Sequence, residues 1–438
     1  MCVHQYIDFA PHMRTRAAHA SAPTAVSLFS CAGVGDTGLD AAGFRILVSN
    51  ELHADRHSTY ARNHPHTTLV TGDIRSCADE IVRAAESRLS GASLDLLVAT
   101  PPCQGMSSAG RGHRARRAAK CSDAAPDDPR NELVLPALHL ARRLSPRFVV
   151  IENVPAALKT RISIGPLSSG TILDAARAVL PAYSVSAHVV QMADYGVAEH
   201  RRRLIVILQR PDATGRPPPC PLPAPTHSST ATDDRERWVT LRDCIGGMPP
   251  PEVMPAIRKA AEASDALHIV RVLSSQAQPW VRATPADGGH AVDNQCSAPG
   301  CACVNTPRDT GAPHRTRLLR CCECDAVLPR PSRHGRPLKI FATAYSRMRW
   351  DRPAPTVTRN VLLPSSDSKL HPSEHRTLSV REACMVHSVP TSFDWADHSA
   401  ASVALLLAES VPPRFMEALA RHLLVLGQRC TEQEGSHG

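Results

Sequence analysis

The chain has 438 residues, enough for one large domain and a smaller one with a sizeable apolar core. Its 50 Lys and Arg residues outnumber its 41 Asp and Glu residues. The resulting net charge of +9 and sequence pI near 9.0 favour a polyanionic partner. No apolar run reaches the ~20 residues of a membrane span, and the N-terminus lacks the layout of a secretory signal. We therefore expect a cytoplasmic protein without a membrane partner, in which the 15 Cys residues are reduced thiols or metal ligands.

The N-terminal region is expected to combine a tail with a glycine-rich turn. Residues 1–24 show no periodicity and predict a flexible tail. A short strand should begin at Val26 and lead into a G-x-G-x-x-G turn that starts at Gly33, followed by a helix ending near Gly43. This spacing lets a cofactor approach the backbone, but it also occurs in tight turns that bind no ligand.

Acidic residues follow the next two predicted strands. Glu51 lies just beyond a strand at residues 45–49, and Asp73 and Ile74 follow a strand at residues 68–71. Carboxylates at strand ends can accept hydrogen bonds from ribose hydroxyls or from an adenine amino group. These positions therefore indicate a nucleotide site.

The segment LDLLVATPPCQ predicts a buried strand that ends abruptly before a thiol. The run at residues 94–99, which is apolar apart from Asp95, is stopped by Pro101 and Pro102, and the two prolines make the turn that presents Cys103 stiff. In open α/β sheets, ligand-binding and catalytic residues lie at the carboxyl ends of the strands. Cys103 is thus a candidate nucleophile, although a half-buried thiol at a strand exit is the alternative.

A basic run follows this thiol at residues 111–120. Such a run is usually an inert solvated loop, but directly after a proposed nucleophile it could contact the phosphates of a polyanionic partner. The arginines concerned are Arg111, Arg114, Arg116 and Arg117.

Two further strands add charged residues to the predicted site. A strand at residues 148–151 is followed by Glu152, which should lie on the same sheet edge as Cys103. A strand at residues 204–208 is preceded by Arg201 and Arg203. A carboxyl group and a thiol are therefore predicted to lie on the same edge of the sheet.

These residues occur in the order found in DNA cytosine carbon-5 methyltransferases, and the chain resembles that family, in particular its bacterial restriction-modification type. The resemblance covers about residues 25–208 and 340–427. It rests on Phe29 and Gly33, Glu51, Asp73, PPCQ at 101–104, ENV at 152–154, DYGV with the Arg201-x-Arg203 pair, RPAPTVT at 352–358, TLSVREACMVHSVPTSF and SVPPRFMEALARHLL.

The resemblance implies a covalent mechanism on a flipped base. Cytosine carbon 5 becomes nucleophilic only after addition at carbon 6, which Cys103 would perform, and nearby positive charge should lower its thiol pKa. Glu152 would bond N3 through a carboxyl of raised pKa, Arg203 would hold the base oxygen, and Arg201 would support the covalent loop. The residues implied to bind S-adenosylmethionine are Phe29, Ala32, Gly33, Glu51, Asp73, Ile74, Pro101 and Ser410.

Some positions depart from the family's usual residues. Cys31 and Val34 replace glycines and should narrow the cofactor turn. Glu199 replaces a Gln, which would place a carboxylate unfavourably near DNA phosphate. The usual Gly-Asn of the last motif is Ala408-Glu409.

The composition changes between residues 209 and 339, where Pro-rich stretches occur and six of the 15 Cys residues fall between Cys296 and Cys324. Cys296 with Cys301, and Cys321 with Cys324, form two candidate pairs for structural zinc. Cys303 and Cys322 are spare, and His314 lies between the pairs, so the ligand set stays open. A reduced thiol cluster without metal is the alternative.

We therefore expect an α/β protein with a doubly wound, Rossmann-like methyltransferase domain at residues 25–208. A smaller target-recognition domain should be inserted at residues 209–339, and residues 340–438 should return to the catalytic domain, with a helix at 410–427. The expected partners are double-stranded DNA, on which the protein acts as a monomer in the nucleoid, and a cognate restriction endonuclease. The alternatives are an RNA cytosine methyltransferase, a nicotinamide oxidoreductase and a catalytically impaired DNA-binding homologue.

Overall fold

The computed structural model describes residues 22–103, 106, 128–165, 168–211, 220–232, 234–254, 265–301, 303–304, 319–334, 336–340 and 342–435. Residues 1–21 of the predicted tail, the predicted basic loop at 111–120 and His314 lie outside this set. Within it, no helix is both long enough and apolar enough to span a bilayer.

The strands lie mostly in the first half of the chain. They are β1 (Thr24–Leu28), β2 (Arg45–Glu51), β3 (Thr68–Thr71), β4 (Leu96–Ala99), β5 (Phe148–Asn153), β6 (Ile162–Gly165), β7 (Ser168–Gly170), β8 (Ser184–Gln191), β9 (Glu199–His200), β10 (Arg202–Gln209), β11 (His227–Ser228), β12 (Glu236–Arg237), β13 (Glu252–Met254), β14 (Ile269–Arg271), β15 (Ser332–Arg333), β16 (Arg336–Pro337) and β17 (Ala354–Pro355).

The α-helices are α1 (Asp36–Ala42), α2 (His57–Asn63), α3 (Ile74–Leu89), α4 (Val134–Leu144), α5 (Ile172–Val179), α6 (Leu241–Ile245), α7 (Gln278–Ala283), α8 (Val380–Val386), α9 (Ala400–Glu409) and α10 (Pro413–Gly435). Short 3₁₀ turns lie at Ala54–Arg56, Pro129–Leu133, Pro155–Lys159, Met192–Tyr195 and Ala291–Asp293.

A seven-stranded sheet forms the centre of the protein, in the order β3-β2-β1-β4-β5-β10-β8. Strands β1 to β5 pair in parallel, whereas β10 is antiparallel to both β5 and β8. Since parallel strands share one carboxyl edge, the residues that follow β2, β3, β4 and β5 are brought to the same side of the sheet. This edge carries the site.

Helices cover both faces of the sheet, as the sequence predicts. Along β1, Val26 and Leu28 face one apolar cluster together with residues of α3, α4 and α5, while Ala25 faces another that includes Phe415 of α10. Successive side chains of a strand point to opposite faces, so β1 is buried on both sides. The doubly wound α/β arrangement is confirmed.

Element boundaries differ slightly from the sequence predictions. The first strand begins at Thr24, where the backbone N–H donates to Asp95, and not at Val26. Glu51 is the last residue of β2, and Glu152 is the next-to-last residue of β5, whereas the sequence predicts each of them just beyond its strand. The final helix is expected at residues 410–427. It starts at Pro413 and continues to Gly435, beyond the last apolar residues of the predicted helix.

The C-terminal segment packs back onto the glycine-rich turn. Cys31 and Val34 share an apolar cluster with Leu406 and Leu407 of α9 and Trp395. A Cβ at Gly38 would overlap the start of α10, so α1 and α10 touch through a glycine. This contact places Ser410, which lies between α9 and α10, near the carboxyl edge of the sheet.

Candidate active site and cysteine cluster

Hydrogen bonds tie neighbouring strand ends together at the carboxyl edge. The Thr100 hydroxyl donates to the Phe29 carbonyl at 2.9 Å, joining the end of β4 to the turn after β1. The Asn153 amide donates to the Pro101 carbonyl at 3.1 Å, joining β5 to the turn that carries Cys103. Pro101 and Asn153 are buried, so these contacts fix the position of the thiol-bearing turn.

Glu152 and Arg203 form an ion pair beside this turn. Arg203 Nε lies 2.9 Å from Glu152 Oε1, and the two residues lie on the antiparallel strands β5 and β10. Burial raises the pKa of Glu152, and the charges of Arg203 and Arg201 oppose this only in part. The raised pKa agrees in direction with the role expected of this carboxyl group.

The pKa of the Cys103 thiol differs from the expectation. Burial and the Glu152 charge raise it, and they outweigh Arg203 and Arg201, which lower it. The expected net lowering by positive charge is therefore wrong for the free protein. The physical reason is that Arg203 is already neutralised by Glu152, while the thiol is largely removed from water.

The glycine-rich turn has a left-handed backbone at three positions. Phe29, Cys31 and Gly33 have φ values of 58°, 55° and 85°. The Cys31 N–H donates to Glu51 at 2.9 Å, so the end of β2 holds the turn. The side chains of Cys31, Ala32 and Val34 are buried in the apolar cluster that also contains Leu406 and Leu407.

Two carboxyl groups at adjacent strand ends fit the ribose and adenine of a nucleoside. Glu51 is buried at the end of β2, and Asp73 is the N-cap of α3, accepting from the Arg75 N–H at 2.9 Å. The Arg75 guanidinium lowers the Asp73 pKa, which keeps this carboxyl group an acceptor. Ile74 is the first residue of α3, so its N–H has no partner within the helix. The residues present therefore fit S-adenosylmethionine.

Arg201 is buried in the interior, close enough to the thiol-bearing turn for its charge to lower the pKa of Cys103. Its guanidinium donates to the carbonyls of Ala408 at 2.9 Å, Ser410 at 2.8 Å and Val357 at 3.3 Å. Burial lowers the pKa of Arg201 to about 10, still far above neutrality. The structure thus brings Arg201 together with Ser410.

Glu199 also points inward, which corrects the expectation of an unfavourable contact with DNA. Its carboxylate accepts from the Val357 N–H and from His387 Nδ1, both at 2.7 Å, and pairs with Arg201 at 3.4 Å. The Ser410 hydroxyl lies 3.0 Å from His387 Nε2. Glu199 is therefore neutralised by partners within the protein.

Glu409, the charged residue that departs from the last motif, also has a partner within the protein. Glu409 pairs with Arg56 at 2.7 Å, and the same guanidinium lies 3.7 Å from Glu51. The C-terminal segment is thereby linked to the end of β2.

Sequence reasoning missed two buried histidines. His387 bridges Glu199 and Ser410, and His64 contacts the carbonyl of Gly33 at 2.9 Å. Neither histidine lies in a spacing that signals chemistry, because their partners are distant in the chain.

Four of the six clustered cysteines form a compact set. The Sγ atoms of Cys296, Cys301, Cys321 and Cys324 all lie within 4.8 Å of one another. The Cys296–Cys324 and Cys301–Cys321 sulfur pairs are each 3.6 Å apart. Sulfurs ~2.3 Å from a tetrahedral zinc would be separated by about 3.8 Å. This donor set fits zinc.

Comparison with known proteins agrees with the geometry. A family profile described as C-5 cytosine-specific DNA methylase matches residues 24–424. The chain is 27% identical to the type II methyltransferase M1.HgaI of Avibacterium volantium, over 91% of this chain and 97% of that protein. It is 31% identical to the type II methyltransferase M.AquIA of a Picosynechococcus species, over 51% of this chain and 88% of that protein.

Solved structures show the same fold. A protein encoded within an Escherichia coli prophage and described as a DNA modification methyltransferase has a TM-score of 0.58 at 18% identity, covering 93% of this chain and 99% of that chain. The Dnmt2 methyltransferase of S. pombe has a TM-score of 0.52 at 12% identity, covering 92% and 98%. At these identities the likeness concerns the fold alone.

Proposed function

The chain belongs to the family of C-5 cytosine-specific DNA methylases, and from this premise we propose that Cys103, Glu152 and Arg203 carry out its reaction. It is a DNA cytosine-5 methyltransferase, in which S-adenosylmethionine supplies the methyl group. The family match supports this function over RNA methylation, nicotinamide chemistry and an inactive DNA-binding role.

The observation that carries the assignment is the Glu152–Arg203 pair next to the Cys103 turn. Cys103 adds as a thiolate to carbon 6 of cytosine while Glu152 gives a proton to N3, which makes carbon 5 nucleophilic. After carbon 5 takes the methyl group, it loses its proton to a base and the bond from carbon 6 to sulfur breaks. The thiolate is thereby regenerated, N3 returns its proton to Glu152, and the carbon-5 proton taken by the base balances the positive charge that the sulfonium methyl donor loses.

Arg203 has two roles in this proposal. In the free protein it holds the Glu152 carboxylate at 2.9 Å. A bound cytosine would draw the guanidinium toward the base oxygen, which removes part of the charge that opposes protonation of Glu152. Entry of the base would then raise the pKa of Glu152 at the step that needs its proton.

Cofactor binding is assigned to the turn and strand ends on the same edge. Glu51 would accept from the ribose, Asp73 and the Ile74 N–H would bind adenine, and Phe29 and Gly33 would border the cofactor. Ala32, Pro101 and Ser410 complete this set, and Arg201 positions Ser410 through its backbone carbonyl.

The substrate is double-stranded DNA with one base flipped out, because carbon 6 is inaccessible within a stacked duplex. We assign residues 25–208 to catalysis, 209–339 to target recognition, and 340–438 to the part that returns to the catalytic sheet. We further propose that the protein acts as a monomer in the cytoplasm, at the nucleoid. Its similarity to type II methyltransferases supports a cognate restriction endonuclease that acts on the same DNA site.

The test is transfer of label from S-adenosylmethionine carrying a tritiated methyl group. Incubation with duplex DNA, with RNA and without nucleic acid should place label in 5-methylcytosine of DNA only. Label in RNA, or none in DNA of any sequence, would overturn this function.

The four-cysteine set is proposed to bind structural zinc. Its surroundings offer little core of their own: the described apolar residues packed there are Leu319 and Leu328 together with the cysteines. A metal would therefore provide folding free energy that the apolar contacts do not. Metal analysis of protein purified without added zinc tests this, and the cysteine variants are considered in the Discussion.

A further inference from the structure

A buried histidine lies directly beneath the glycine-rich turn. His64 follows α2, and its ring lies between the turn and α1. Nε2 is 2.9 Å from the carbonyl oxygen of Gly33, and Nδ1 is 2.8 Å from Oδ2 of Asp40. The histidine therefore joins the turn to the helix that follows it.

Both partners of His64 are oxygen acceptors. A neutral imidazole can donate from only one nitrogen, so the other would face a carbonyl or a carboxylate lone pair. Only the imidazolium form satisfies both contacts. The geometry thus specifies a protonated ring.

The charges around the ring favour that form. Asp40 and Asp36 face it from α1, and Tyr60 packs on it from α2 with ring centroids 4.7 Å apart. Asp36 is itself held by the hydroxyls of Tyr60 at 2.7 Å and Ser27 of β1 at 2.8 Å. Burial opposes the charge, but the hydrogen bond to Asp40 and the charges of both carboxylates outweigh it, and the pKa of His64 is raised.

The ring also fixes the shape of the turn. Gly33 has a φ of 85°, and a Cβ there would lie 2.5 Å from the His64 ring. The Gly33 N–H donates to Ser30 at 2.9 Å, and its carbonyl also accepts from the Thr37 N–H at 3.2 Å. The Thr37 hydroxyl donates to the same carbonyl at 3.3 Å, so the histidine joins three other contacts that hold Gly33 in the turn assigned to the cofactor.

We propose that His64 is a positioning residue whose proton holds the turn in its cofactor-binding shape and makes S-adenosylmethionine affinity depend on pH. The proposal rests on the cofactor assignment made above. Protonated His64 holds the turn in the shape that binds the cofactor, so the affinity for S-adenosylmethionine is full at low pH. The affinity falls as the pH rises through the folded-state pKa of His64, which lies above the ~6.5 of a free histidine. No DNA is needed for this effect.

The direct test is to measure the protonation of His64 in solution. Long-range ¹H–¹⁵N spectra of the full chain should show both ring nitrogens protonated at pH 7, with loss of one proton at higher pH. The substitution Asp40→Asn keeps the side-chain size but removes a carboxylate, and should lower the pH at which His64 loses its proton. A neutral His64 at pH 6.5 in the wild type would overturn the proposal.

The second test is calorimetric binding of S-adenosylmethionine between pH 6 and 9 without DNA. The wild type should bind about tenfold more weakly at the high end, with the same midpoint as the spectra, a change of about 1.4 kcal/mol. In His64→Gln the weakened affinity should no longer vary with pH, while His66→Gln, an exposed control, should behave as the wild type. Circular dichroism checks that each variant is folded.

The outcomes separate this inference from the function on which it rests. Binding that does not vary with pH in the wild type, or that varies equally in His64→Gln, overturns the role of His64 alone. A wild type that binds no S-adenosylmethionine at any pH overturns the cofactor assignment and the inference together.

Discussion

Glu199 accepts a hydrogen bond from Nδ1 of His387 at 2.7 Å, and both side chains have a relative exposure of 0%. The two residues lie 188 residues apart in the chain, and their contact links β9 to the residue that follows α8. Arg201 and Ser410 extend the contact, so a buried charge network connects Arg201 with the C-terminal segment.

Replacing Glu199 by Gln should destabilise the fold, because the charge that neutralises buried Arg201 is lost. We expect the free energy of unfolding to fall by about 3 kcal/mol at pH 7, within the range for breaking a buried pair. Urea unfolding would measure it, with the exposed Glu80→Gln as control within about 0.5 kcal/mol of the wild type. An equally stable Glu199→Gln protein would contradict the role of the charge.

The same pair predicts an acid dependence. Although burial opposes ionisation, His387 and Arg201 lower the pKa of Glu199 to about 2. A depressed pKa contributes stability above the unfolded value, near ~4.3, that is lost as the pH falls through the folded value. The stability difference between the wild type and Glu199→Gln should therefore shrink between about pH 5 and pH 2.

The strand ends of the site could be predicted from sequence because each follows a short apolar run. The runs before Cys103 and Glu152 become β4 and β5, and their parallel pairing follows from the helices between them. The direction in which Glu199 points could not be predicted. Its partners, His387 and Val357, come from segments that meet only after the C-terminal part packs onto the sheet.

The direction of the pKa shift of Cys103 likewise could not be predicted from the sequence. The sequence places positive residues near the thiol, but it does not show that Arg203 is already paired with Glu152. Burial and pairing are properties of the folded chain, and here they reverse the expected direction of the shift. The cysteine set was predictable because its members occur as two pairs within one short stretch of the sequence.

Cys103→Ala should abolish methyl transfer while DNA binding persists, because no neighbouring group can form the covalent bond. Duplex DNA carrying 5-fluorocytosine at the target cannot lose its carbon-5 substituent, so the wild type should form a denaturation-resistant adduct and the variant none. Cys244→Ala, which removes a buried thiol of α6, is the control and should retain both reactions. Turnover by Cys103→Ala would refute the covalent mechanism.

Arg203→Gln should raise the pKa of Glu152, because it removes the largest of the effects that lower it. Carboxyl ¹³C resonances of Glu152, followed between pH 4 and 9 without DNA, would report the shift. Arg202→Gln is a matched control, since this neighbouring arginine is exposed and has no ion pair with Glu152 among the described contacts. A Glu152 pKa unchanged by Arg203→Gln would show that the ion pair does not control the proton.

Neutralising Arg111, Arg114, Arg116 and Arg117 together should weaken DNA binding for every sequence. If each contacts a phosphate, the slope of log affinity against log salt should become shallower by up to about 0.9 per residue. The control replaces four exposed arginines on helices α3, α4 and α5, namely Arg83, Arg142, Arg143 and Arg177. An unchanged salt slope in the loop variant would favour an inert solvated segment.

Protein purified without added metal should contain about one zinc per chain, bound by the four sulfurs that lie within 4.8 Å of one another. Cys324→Ser should lose the metal and sequence-specific DNA binding together, since the surrounding core is too small to stay ordered without it. Cys322→Ser is the closest control: its sulfur is exposed and lies 3.1 Å from Cys303, outside the set of four, so zinc content should be unchanged. Neither readout requires methyl transfer, because zinc content and DNA binding are measured separately. A metal-free wild type with full sequence-specific activity would eliminate the zinc site, and equal zinc loss in both variants would show that the ligand set includes Cys322.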